Sequence, residues 1–189
     1  IVIKDGIVLC GAGAESTIID GAGAKTVVTC GKGSAIMGFT VQNGVTGVFN
    51  AGNFIGVSDC IIQDMSAACV QLTLGSALIS NNILVGGGKQ AHGIVSAQAN
   101  PIISGNVIFD HAGYGILGTH HFVLTISGNI IAGNGTGVRC TVGAEAILAD
   151  NVFDLNVEHV HGVELGGTDT TNAVDLATAI PYRQPPARD

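Results

Sequence analysis

Ile103-Ser104-Gly105-Asn106-Val107-Ile108 is the stretch on which the reading of this chain turns. Two short apolar pieces flank a Gly-Asn pair, and neither is long enough to bury a face by itself. The hexapeptide returns as Ile79-Ser80-Asn81-Asn82-Ile83-Leu84 and as Ile126-Ser127-Gly128-Asn129-Ile130-Ile131. A weaker copy is Leu148-Ala149-Asp150-Asn151-Val152-Phe153. Upstream, the same frame puts Cys60 and Phe39 where the others have Asn. The anchors Phe39, Cys60, Asn82, Asn106, Asn129 and Asn151 are 21, 22, 24, 23 and 22 residues apart. A second anchor lies between them: Gly47-Val48, Cys69-Val70, Gly93-Ile94, Gly115-Ile116, Gly137-Val138 and Gly162-Val163.

Such units bury their apolar sides only by stacking on one another. If equivalent strands pair in parallel every ~4.8 Å, Ile and Val turn inward and like residues stack on like. The expectation is an all-β, right-handed parallel β-helix of about seven coils of about 22 residues each. In it Asn82, Asn106, Asn129 and Asn151 form one column, each passing amide hydrogen bonds to the next and tolerating the left-handed bend. Strand alternation turns Ile94, Ile116, Val138 and Val163 inward, and Arg139 and Glu164 outward. The repeat runs through residues 1–166, and residues 167–189 read as a C-terminal cap and tail, with Thr168 to Ala179 folding over the open end.

Composition agrees. Ile and Val number 41 against 11 Leu, a β-branched bias that suits strands and argues against a leucine-rich repeat. Net charge is −7 with only four Lys and three Arg, so no nucleic-acid partner is expected. Mean hydropathy is +0.49 and Met65–Gly88 carries no charge, yet Gln71, Asn81, Asn82 and four Gly interrupt it, so membrane insertion is not expected either. The opening run from Ile1 has no signal-peptide pattern and reads as a truncated or processed start.

Gly11-Ala12-Gly13-Ala14-Glu15-Ser16-Thr17-Ile18-Ile19-Asp20-Gly21, followed by the Asn and Gly-Ile repeats, resembles the right-handed parallel β-helix of the pectin-lyase-like superfamily. That grouping holds polysaccharide lyases, mannuronan epimerases and the periplasmic copper-maturation proteins of nitrous oxide reductase. The resemblance covers about residues 1–166 and rests on structural positions. It implies an extracellular or periplasmic location.

Candidate chemistry gathers on the later coils. The residues before the Gly anchors are Thr46, Ala68, His92, Tyr114, Thr136 and His161, and two positions after them come Val95, Leu117, Arg139 and Glu164. Proton abstraction beside a uronate carboxylate needs a cation, a base and an acid. His92, Tyr114, Arg139 and His161 are the candidate catalytic residues, with His92 or His161 as base and Tyr114 as proton donor. Lys89, His111 and Glu164 are candidate substrate-binding residues. Paired acids for hydrolysis and a zinc-type Cys pattern are missing from the sequence, and no cofactor or metal is called for.

Five Cys is an odd number. Cys60, Cys69 and Cys140 read as core residues, while Cys10 and Cys30, 20 residues apart, could bridge or stack on successive coils. Three functions follow, in order: a non-catalytic carbohydrate-binding or structural surface module, a uronate lyase or epimerase using the histidine patch, and an accessory metal-handling periplasmic protein. An acidic polysaccharide is the expected partner, and a homo-oligomer is compatible with all three.

Overall fold

A computed structural model describes residues 1–87, 91–141, 143–164 and 167–171. Strands in it pair only in parallel, and no helix occurs among the described residues. One side of the coil is a seven-stranded sheet. It stacks Val8–Cys10, Ser34–Met37, Asn53–Ser58, Gly75–Ser80, Ile102–Ser104, Val123–Ser127 and Glu145–Ala149 in chain order, so first and last lie six turns apart. The other two sides belong to a twelve-stranded sheet. Its long strands Ile18–Cys30, Thr40–Asn50 and Ile61–Leu72 bend around a corner, and later coils split there into pairs such as Val107–Phe109 and Tyr114–Thr119. This is a parallel β-helix, wound in the right-handed sense that parallel connections take.

Like stacks on like inside. Ile62, Leu84, Ile108, Ile131 and Phe153 form one column, and Val48, Val70, Ile94, Ile116 and Val138 another, all fully buried. Burial of each such side chain contributes about 1.5–3 kcal/mol, repeated at every rung. The glycines of the second anchor are explained by crowding. A methyl on Gly93 or Gly115 would overlap the carbonyl oxygen of the next rung.

The asparagine column forms as expected. Asn82 Nδ2 donates to Asn106 Oδ1 at 3.0 Å, Asn106 to Asn129 at 3.0 Å, and Asn129 to Asn151 at 2.9 Å. Each Oδ1 also accepts the backbone N–H of the preceding ladder residue. Two details differ from the sequence reading. The left-handed residue is the one before each Asn, with φ of 57° at Asn81, 65° at Gly105, 63° at Gly128 and 57° at Asp150, because the corner must turn before the amide can point inward. The column also runs one member past the four expected asparagines, since Asn151 Nδ2 donates to Asp169 Oδ1 at 2.9 Å and Thr168 and Thr170 bond to the same rung. Residues 172–179 of the expected cap lie outside the described residues.

The last coil is out of the expected register. Val160, not Val163, pairs with Val138, so His161 stands opposite Arg139 and Glu158 opposite Thr136. Val163 is half-buried at the edge of the core, and Glu164 is exposed beyond the last strand. Cys10 and Cys30 close strands of different sheets, so they do not stack, and all five cysteines are free. Cys60, Cys69 and Cys140 are buried as expected.

Candidate functional site

Parallel stacking turns a sequence column into a physical row. Ala68, His92, Tyr114, Thr136 and Glu158 follow one another rung by rung, with Ala68 and Thr136 buried, and Leu117, Arg139 and His161 run beside them. His92 and Tyr114 stack with ring centroids 5.0 Å apart and planes 9° from parallel. From the other side, the Arg139 guanidinium lies 5.2 Å over the Tyr114 ring. The offset is near the rung spacing, which brings cation and ring into contact without bending the backbone. These three residues, with Gly113, Gly135 and Thr136, line an open cleft of about 520 Å³.

Proton positions follow from the hydrogen bonds. The backbone N–H of Tyr114 donates to His92 Nδ1 at 3.0 Å. Burial lowers the His92 pKa, so the ring is neutral and its one proton sits on Nε2. The lone pair a general base would use is therefore occupied. His92 is a donor. Both faces of the Tyr114 ring are covered, by His92 before it and Arg139 after it, which leaves edges rather than a stacking platform for a ligand.

Gly113 holds the stack open. A methyl there would overlap the His92 ring. Gly113→Ala is expected to swing His92 off Tyr114, with the fold retained because the clashing partner is a movable side chain. Loss of the Tyr114 amide's protection against hydrogen exchange, with an unchanged far-ultraviolet circular dichroism spectrum, is the expected observation.

The other expected site residues scatter. His161 lies next to Arg139 and pairs through Nδ1 with Glu158 Oε1 at 3.0 Å. Lys89 lies outside the described residues. His111 does not reach the outer face. It is fully buried, and its Nε2 meets the Leu84 carbonyl at 3.3 Å. Its backbone N–H donates to Asn134 Oδ1, and Asn134 repeats the pattern onto Asn156. His111 thus heads a second polar ladder. The signal was present in the sequence: Asn134 and Asn156 each follow a first-ladder Asn by five residues, and so does His111.

A model of the family described as "Periplasmic copper-binding protein (NosD)" matches residues 4–173. The chain belongs to the NosD family. Its coils are therefore those of a NosD-family β-helix, and the family description places such proteins in the periplasm. No curated protein and no solved structure matches the chain. Of the protein types in the resemblance, the match names the copper proteins rather than the lyases or epimerases.

Copper held by a protein asks for several converging nitrogen, sulfur or oxygen donors. Among the described residues no three His, Cys, Asp or Glu side chains converge. Glu158 and His161 supply two. Burial raises the thiol pKa of Cys30, Cys60, Cys69 and Cys140, and none of them converges with two further His, Cys, Asp or Glu donors among the described residues. The described residues of this NosD-family chain do not fit a resident copper ion.

Proposed function

We propose that this NosD-family chain is a non-catalytic β-helix surface module that binds an acidic saccharide along the His92–Tyr114–Arg139 row. The observation that carries the reading is the donor character of the row. Arg139 presents only donors, His92 presents Nε2–H, and Tyr114 adds a hydroxyl. Such an edge favours carboxylate or sulfate oxygens, and Arg139 is the only Lys or Arg after Lys32 among the described residues. A neutral glycan would offer the guanidinium no charge-assisted hydrogen bond. Catalysis with His92 as base is disfavoured because its lone pair is spent.

The family description favours a second reading, in which the module handles copper as cargo. Calorimetric titration with oligogalacturonate, oligoalginate and Cu(II) separates the two. The first reading expects saccharide binding that Arg139→Gln weakens about tenfold, the loss of one charge-assisted hydrogen bond. Copper binding with no saccharide binding would replace it with the second.

A further inference from the structure

We infer that the outer face of the seven-stranded sheet pairs with a second copy of this chain. A solvated sheet face ordinarily alternates apolar inside with polar outside. This one does not. Val8, Phe54, Leu78, Ile102, Val123 and Ile147 point outward from six of the seven strands, with Leu78 40% and Ile102 49% exposed. Val8, Leu78, Ile102 and Ile147 share one column of the register, with Ala35 and Gly56 between Val8 and Leu78 and Thr125 between Ile102 and Ile147. Phe54, 57% exposed, stands beside that low ground on the Gly56 strand. A two-fold copy can seat its Phe54 there. Within the seven strands the one charged side chain is Glu145, in the last of them.

Charge and area select the occupant. Each copy carries −7 overall, and this nearly uncharged face is where two copies approach with least repulsion. An anionic bilayer would find no Lys or Arg in these strands to hold it. Seven strands at ~4.8 Å spacing and about five residues of width give about 500 Å² per copy. The total of about 1,000 Å² reaches the lower limit for a specific interface and matches a reversible dimer. The largest exposed apolar patch on a monomer is often functional.

Sedimentation of the full chain across a concentration series tests the inference. The expected mass rises from 19.0 kDa toward twice that value with concentration. Leu78→Glu and Ile102→Glu should hold the chain at monomer mass with the same circular dichroism spectrum. Ile102→Ser, which an exposed strand position accepts, should weaken the dimer and covers the case in which a charged variant fails to fold. Wild type staying monomeric throughout, a dimer that survives all three variants, or monomers that float with phosphatidylcholine vesicles would each overturn it.

Discussion

Asn106→Leu should lower the free energy of unfolding by roughly 4 kcal/mol, although the two side chains are close in size. The Asn106 amide donates to the Ile79 carbonyl at 2.9 Å and to Asn129 Oδ1 at 3.0 Å, and its oxygen accepts both the backbone and side-chain N–H of Asn82. Leucine strands the Ile79 carbonyl and two Asn82 donors in a dry interior, at about 1–3 kcal/mol each. Asn151→Leu should cost nearly as much, because Asp169 extends the ladder beyond it and Asn151 also serves the Ile126 carbonyl. Denaturant unfolding followed by circular dichroism measures both. Losses under about 1 kcal/mol would mean that the ladder is incidental to stability.

The second large effect is an acid instability centred on His111. Burial pushes its pKa down to about 4, against an ordinary value of 6.5. Above pH 6.5 both folded and unfolded chains hold a neutral ring, and the stability is fully present. Between 6.5 and about 4 only the unfolded chain takes up the proton, so stability falls with pH by up to about 1.4 kcal/mol per unit, about 3 kcal/mol in all. His92, also lowered by burial, acts in the same direction, and Asp110, raised by desolvation, acts in the opposite one. Comparison with His111→Asn isolates the His111 share. Asparagine extends the Asn134–Asn156 ladder by one member and does not titrate, so the variant should be the more stable at pH 5 and lack most of the slope. Parallel pH profiles would contradict the assignment.

Much of the fold was legible because the repeat is written in residues with a single structural use. Asn82, Asn106, Asn129 and Asn151 need partners one rung away, and the glycines before Ile94, Ile116 and Val138 leave no room for a side chain. The last coil was misread because Gly162-Val163 imitates the anchor, while pairing is decided by Val160 on the Val138 rung. His111 was misplaced for a related reason. Near the other titratable residues it reads as a surface group, and only its spacing from Asn106 marks it as a ladder member. The His92–Tyr114–Arg139 row was legible as a neighbourhood but not as chemistry. The sequence places an imidazole there, yet whether it donates or accepts depends on the Tyr114 amide that caps Nδ1.

On the proposed function, a row of donors around one cation selects negative charge. Titration of oligogalacturonate against its fully methyl-esterified form, which keeps the ring and linkage and removes the carboxylate charge, decides between acceptance and rejection of that reading. The row predicts binding of the acid, with chemical-shift changes at Tyr114 and Arg139, and at least tenfold weaker binding of the ester. Equal affinity for the two forms, or shift changes confined to another side of the helix, would contradict it.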